Sequence, residues 1–480
     1  MLKSRYKKKK ESDLMSSVMD RFKDCDDFLC QKIISENTGV EIYKMYINQM
    51  VDKDIIDNAI LKPLSFELNN IENSTTLLEY LKSGKIYHLD ILCENDINKI
   101  VTSILEGNFI LICENQGYIF DTKKYNIRSV EKPESEVSSK GAKESFIESS
   151  AINVSLLRRR IQTEKLKVVD KSIGTETKTR VSIMYIEGIA KKEIVDKVKE
   201  KIDSLNIPSI VSSSDFEEHI ISRKYSIFPE LIATERTDKV AANLIEGKVA
   251  VVVDGISTVY IMPAVFAMFM QAPEEYSVNY FVSSFIRLMR YFCLFVATIF
   301  PALYIAITTF HQEMLPTTLA ESIIASKQDV PLPAFLEIII MLLAFEILLE
   351  AGARMPKTAG QTVSIVGALI VGDAAVNAKF VSPAVVVIVA ITAICGFVIP
   401  NQDLSNAVRI GRMGLVLVAS VAGLYGLSLA TIITVYYMCT LESFSIPYLK
   451  PFTSNDGKNL TADTIIRGHL NKKKGKMVRW

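Results

Sequence analysis

Between Pro333 and Pro400 the chain carries three apolar runs, roughly Phe335–Leu349, Val363–Val376 and Val381–Ile399, separated by short Gly, Pro and Ser breaks. Water does not tolerate so much continuous apolar surface, and a soluble core seldom needs it. A bilayer accepts such runs as helices, because each backbone N–H then finds its acceptor within the segment. Inside the runs sit a few charges: Glu337, Glu346, Glu350, Arg354 and Asp373. A charge at membrane depth costs about 2.5–3.5 kcal/mol on insertion scales, so it is rare without a role.

Composition changes along the chain. Residues 1 to about 240 are rich in Lys, Glu, Asp and Ser, whereas about 281–440 are dominated by Val, Ile, Leu, Ala, Phe and Gly. A soluble region followed by a membrane region is the simplest division. The net charge of +1 over 480 residues points to no nucleic acid or other acidic partner. The basic start MLKSRYKKKK is not followed by an apolar stretch, so it does not read as a secretory signal, and the soluble part is expected in the cytoplasm. Seven scattered cysteines without a Cys-x-x-Cys pair, and histidines far apart at His88, His219, His311 and His469, argue against a metal site.

The soluble half contains a repeat. MYINQMVDKDIID (Met45–Asp57) matches MYIEGIAKKEIVD (Met184–Asp196), and ILEGNFILIC (Ile104–Cys113) matches LIEGKVAVVV (Leu244–Val253), both at an offset of roughly 140 residues. Two matches at one offset indicate a tandem duplication of one α/β unit. In each copy a strand ends in Met-Tyr-Ile. A helix follows, near Asp52–Leu61 and Lys191–Leu205, and another leads into a Glu-Gly turn whose glycine caps it. A hairpin closes the unit, turning at Asn115–Gly117 in the first copy and at Asp254-Gly255, a type I′ signal, in the second. Between the copies, a helix is expected from Lys143 to the triple arginine Arg158–Arg160, either a site for phosphate or an acidic lipid head, or a solvated or inter-subunit face.

In the membrane half the first span is expected at Tyr291–Ile307, interrupted by Pro301, with His311–Val330 as a polar connection. Glu346, Glu350 and Arg354 are spaced by four and share a helical face, as an ion pair or as a charged lining. Gly360, Ser364, Ala368 and Gly372 fall at every fourth position, beside a second stripe begun by Gly367. Small residues at that spacing suit close helix packing or a narrow pore wall, of which Gln361, Ser364 and Asp373 would be polar members. Val381–Ile399 reads as a span, and Gly414–Leu441 as one tilted span or two pieces broken near Gly423–Gly426. Arg287/Arg290, Arg354/Lys357, Arg409/Arg412 and the Lys-rich tail all favour the cytoplasmic side, which five spans cannot satisfy; a re-entrant or broken segment would.

The fold expected is therefore an α/β cytoplasmic domain of two tandem repeated units followed by an all-α polytopic transmembrane domain. The boundaries are a basic extension (1–37), the first unit (38–130), a helical connector (131–177), the second unit (178–270), the membrane domain (271–441) and a basic tail (442–480). No P-loop, Gly-x-Ser-x-Gly elbow, His-Glu-x-x-His or dinucleotide fingerprint occurs, so neither an enzyme nor a cofactor is expected.

From about Glu41 to Pro451 the chain resembles the A subunits of GerA-type spore germination receptors. The resemblance rests on Lys140–Ile161, Thr234–Gly255, Arg287–Pro316, FEILLEAGARMP (Phe345–Pro356), GQTVSIVGALIVGDAAV (Gly360–Val376) and SFSIPYLKPF (Ser443–Phe452). Leu349 stands where the family usually has Arg, and Asp373 where Gln or a small residue is usual. The resemblance implies a receptor in the spore inner membrane that responds to amino acids, sugars or nucleosides. Its partners would be a permease-like B subunit that binds the nutrient and a C-subunit lipoprotein. It also implies self-association into a ring that forms a nutrient-gated ion channel and releases cations. The alternatives are a non-conducting scaffold for the B subunit and a secondary transporter; the latter should show inverted repeats in the membrane half, and the sequence contains none.

Overall fold

The computed structural model describes residues 14–35, 38–67, 71, 73–82, 91–124, 144–221, 223, 225–354, 372–453 and 464–467. They fall into two compact units, one within 1–224 and 231–263, the other within 225–230 and 264–475.

The first unit holds two five-stranded sheets. Helix α1 (residues 14–21) precedes β1 (Phe28–Ile34) and β2 (Glu41–Ile47). The helical run α2 joins Lys53–Ile55, the π-wound Ile56–Leu61 and Lys62–Glu67. Then come α3 (Ser74–Lys82), β3 (Ile91–Glu94), α4 (Ile97–Leu105), β4 (Phe109–Cys113) and β5 (Gln116–Phe120). Strand order is β1-β2-β4-β5-β3, with every pairing antiparallel. After α5 (Ser150–Arg160) the second sheet uses β6 (Leu166–Ile173), β7 (Thr179–Ile186), β8 (Ile232–Thr234), β9 (Val249–Val253) and β10 (Val259–Met262). Helices α6 (Lys192–Asp203) and α7 (Ser213–Ile220) lie between β7 and β8 in sequence, and α8 (Thr237–Ile245) between β8 and β9. Its order, β6-β7-β9-β10-β8, is the same as in the first sheet, again wholly antiparallel.

The central strands show why the sequence builds this. FILIC in β4 is buried at all five positions, as is VAVVV in β9. Side chains alternate across a strand, so Ile110 and Ile112 pack with Val18 of α1 and Ile104 of α4, while Phe109, Leu111 and Cys113 pack with Ile60 of α2 and Leu77 of α3. Two matched glycines fix the helix ends. Gly107 (φ +89°) and Gly247 (φ +91°) follow α4 and α8, and a Cβ there would lie 2.8 Å from the Met50 carbonyl oxygen and 2.9 Å from that of Ile189. Only glycine combines that left-handed φ with so close a backbone approach.

Several boundaries differ from the sequence expectation. Strand β1 lies inside the stretch read as the extension (1–37), and β6 inside the connector (131–177). Both are edge strands carrying charges, Lys32 in one and Asp170 and Lys171 in the other, which hide their apolar alternation. Residues 144–149 precede α5 without helical winding. The first hairpin pairs Cys113 with Gln116, so it turns at Glu114-Asn115, one residue early. The second is longer than a two-residue turn, because Val252 pairs with Val259. Asp254 is drawn out of a tight turn: its Oδ1 accepts the Ser150 N–H at 2.8 Å and the Ser150 hydroxyl at 2.7 Å, capping α5.

The second unit is helical. It contains α9 (Tyr280–Phe310), α10 (Thr317–Lys327), α11 (Ala334–Arg354), helical residues 372–377, α12 (Pro383–Phe397) and α13 (Gln402–Thr440). A short hairpin of β11 (Glu442–Ser443) and β12 (Ile446–Pro447) follows. The stretch read as a polar connection, His311–Val330, thus includes α10. Helices α9 and α13 are long and apolar enough to cross a membrane, and α12 is a shorter apolar helix. The core joins Ala302 and Ala306 of α9, Ile338 and Leu342 of α11, Val385 and Val389 of α12 and Val416 and Ala419 of α13. Straight, the 39 residues of α13 would rise about 58 Å, but Gly423 (φ +59°, ψ −143°) breaks it. A Cβ on Gly426 would sit 3.2 Å from the Val418 carbonyl oxygen, so the chain turns sharply there. Straight helix would separate residues eight apart by about 12 Å. At Gly423 itself a Cβ would meet the Phe310 ring at 2.9 Å.

Candidate functional site

Several charged residues of the helical unit are held by specific partners. Glu337, in the first turn of α11, has 0% exposure. One carboxylate oxygen accepts the Ser382 N–H at 2.7 Å. Ser382 is the N-cap of α12, so the negative charge meets the positive end of that helix. Further along α11, Glu346 accepts from Arg412 at 2.7 Å and lies 3.7 Å from Arg409. Glu350 and Arg354 pair at 2.7 Å on an exposed surface.

The Glu346–Glu350–Arg354 face read from the sequence therefore divides in two. Arg412 is buried, and a buried guanidinium needs a counter-charge, so α13 captures Glu346. Asp373 is exposed, whereas Gly372 is buried, its Cβ direction 3.6 Å from Val386 of α12. Gly360, Gln361, Ser364, Gly367 and Ala368 lie outside the described residues. Nothing described brings Asp373 together with Glu337, Glu346 or Glu350.

A third polar centre was not foreseen. Glu275, in a 3₁₀ turn Pro273–Ser277, accepts from both Arg287 and Arg290 of α9. Its backbone carbonyl accepts the Ser283 hydroxyl at 2.6 Å. Arg287 also donates to the Thr464 carbonyl at 3.3 Å, and Arg467 donates to the Val278 carbonyl at 2.5 Å, which ties residues 464–467 to the start of α9. The available signal was the pairing of two arginines three apart with an upstream Glu-Glu, but their side-chain directions depend on the fold.

The arginine run of the first unit is likewise paired, with only its first member buried. Arg158 is buried and binds Asp27 through two bonds of 2.7 and 2.8 Å. Burial works against its charge, but the Asp27 carboxylate outweighs this and raises the guanidinium pKa above its ordinary value. Arg159 and Arg160 both pair with Glu144, at 2.5 and 2.7 Å. A cleft of about 300 Å³, lined by Gln49, Glu106, Lys123, Arg159 and Gln162 among others, opens beside them. Among the described residues no group of three or more His, Cys, Asp or Glu converges to hold a metal.

A family model described as Bacillus/Clostridium GerA spore germination protein matches residues 16–478. The chain is 39% identical over 442 residues to the "Uncharacterized membrane protein YfkQ" of Bacillus subtilis (strain 168), covering 91% of this chain and 85% of that one. With "Spore germination protein KA" of the same organism it shares 37% identity over 421 residues, 87% of this chain and 77% of the other. Among solved structures, the N-terminal domain of the A subunit of the Bacillus megaterium spore germinant receptor GerK3 aligns with a TM-score of 0.41 at 28% identity, covering 52% of this chain and 94% of that one.

Proposed function

This chain belongs to the Bacillus/Clostridium GerA family of spore germination proteins, and on that premise we propose that it is the A subunit of a nutrient-sensing germinant receptor in the spore inner membrane. In this reading the helical unit crosses the membrane several times, and the first unit, a tandem duplication of one α/β unit, stays cytoplasmic. Copies assemble into a ring around a germinant-gated cation pore. A permease-like B subunit and a C-subunit lipoprotein are the partners. The small-residue segment Gly360–Ala378, with Gln361, Ser364 and Asp373, is the pore wall, and no catalysis is involved.

The observation that carries the reading is the polarity of the helices. Glu337, Arg287 and Arg412 face inward while Phe292, Ile347, Ile394 and Val421 face out. Apolar side chains turned outward over several helices suit lipid, and charges turned inward suit a polar path. The closed pair Glu346–Arg412 favours a second reading, a non-conducting scaffold in which these charges are structural ties.

Assembled with its two partners in planar bilayers, the chain is expected to give cation currents switched by nutrient, and to run as a discrete closed ring in native mass spectrometry. A complex that assembles but never conducts would sink the channel and leave the scaffold.

A further inference from the structure

Three buried polar atoms of the helical unit lack hydrogen-bond partners at one place: a carboxylate oxygen of Glu337 (Oε1), the Ser382 hydroxyl and the Tyr304 hydroxyl. They come from three elements, α11, the N-cap of α12 and α9. Glu337 and Ser382 are fully buried. The Tyr304 phenol faces both the Ser382 side chain and the Glu337 charge. The other Glu337 oxygen is anchored on the Ser382 N–H at 2.7 Å, so the carboxylate is aimed rather than free to turn. Lys327 of α10 approaches from the same side. Its amine lies 5.4 Å from the Tyr304 ring centroid and faces the Glu337 charge, yet no ion pair joins the two among the described residues.

We propose that Glu337, Ser382 and Tyr304 form a coordination site for one small monovalent inorganic cation, with the Lys327 ammonium as a tethered competitor for the same carboxylate. The donor set argues for the class of ion. It offers oxygen alone, one negative charge and two neutral hydroxyls. One negative charge balances a monovalent ion and leaves Ca²⁺ or Mg²⁺ half-compensated, and transition metals prefer nitrogen or sulfur. A neutral hydroxyl can turn its lone pairs toward a cation, and an anchored carboxylate beside two such hydroxyls supplies the charge. The positive end of α12 bears on the opposite carboxylate oxygen, which leaves Oε1 as the face open to a cation. Lys327, on a flexible four-carbon stem, faces the same carboxylate, so site occupancy and the position of α10 become linked.

The site deepens the conducting reading, and its role in permeation rests on that reading; its existence does not. The full chain in lipid nanodiscs is therefore tested for equilibrium binding of radiolabelled sodium and rubidium, without any flux. Saturable binding of one of them is expected. Glu337→Gln, which keeps an oxygen for the Ser382 N–H, should weaken it about tenfold or more. Tyr304→Phe should weaken it several-fold, and Lys327→Met should tighten it. Absence of saturable binding in the unaltered chain, or unchanged binding in a folded Glu337→Gln protein, overturns the site. If Glu337→Gln does not fold, the other two variants decide: opposite shifts in affinity support the site, and no shift in either overturns it. A chain that binds but gives no current refutes the channel and keeps the site, whereas one that conducts without binding does the reverse.

Discussion

In the first unit the side chains removed from solvent are mostly aliphatic and aromatic, such as Ile110, Phe109, Val251 and Tyr260. In the helical unit the fully buried set includes Glu337, Arg287, Ser283, Ser382 and Thr392, while Val421 is 79% exposed and Ile347, Ile394 and Tyr436 are also turned outward. On the membrane reading proposed above, the difference reflects the solvent each unit is built for. In water, burying apolar area yields about 25 cal/mol per Å², so strands such as FILIC and VAVVV are covered on both faces. Among lipid tails that gain vanishes, and helices associate through small residues and polar ties. Ala302, Ala306 and Ala419 at the helix contacts, and the Glu346–Arg412 and Glu275–Arg287 pairs, are of that kind. The first unit also encloses charges, each with a partner: Arg158 with Asp27, Arg236 with Asp238 and Lys248 with Glu246.

Substitutions in both units test this contrast. The largest effect is expected from Val251→Asp, which puts an unpaired charge between two covered sheet faces. It should cost more than about 4 kcal/mol and abolish the protease resistance of residues 144–263. The control is Val421→Thr on the outward face of α13, expected to cost less than about 1 kcal/mol in lipid; equal losses would erase the distinction between the two units. Next, Arg158→Met strands the Asp27 carboxylate and should cost about 3–5 kcal/mol, read as faster amide exchange in α5 and β6. Adding Asp27→Leu should recover much of that loss, because the unpaired charge is gone; no recovery would mean that the guanidinium serves packing alone.

Smaller effects concern the two sheets themselves. Gly107→Ala and Gly247→Ala force a Cβ onto the same kind of carbonyl contact at the same left-handed φ, so each should cost about 1–3 kcal/mol. Thermal melts of the two variants should shift alike, and a large disparity would argue against equivalent units. The smallest effect is chemical. Burial, with a minor contribution from Glu114, pushes the Cys113 thiol up to about 12. At pH 8 the group is then held as the unreactive neutral thiol. Iodoacetamide followed by mass spectrometry should label exposed Cys93 and spare Cys113. Equal labelling would show that β4 opens readily.

Much of this architecture was open to reading in the chain. Alternation and apolar runs located β4, β9, α9, α11 and α13, because period and length follow from backbone geometry alone. The two Glu-Gly steps marked Gly107 and Gly247 for the same reason. Edge strands β1 and β6 escaped because their charged residues blur the pattern, and only pairing to β2 and β7 makes them strands. The charges inside the apolar runs could be singled out by their rarity there, but their partners could not.

Spacing along the chain settles what is local and periodic: which segments wind or extend, which faces are apolar and where glycine must end a helix. Which side chains meet is settled by packing. Arg158 reaches Asp27 across 131 residues, Arg412 takes Glu346 across 66, and the Ser382 N–H finds Glu337 across 45. A charge interacts with whatever the packed helices and sheets bring within a few ångströms, and that distance is set by the whole fold rather than by spacing along the chain.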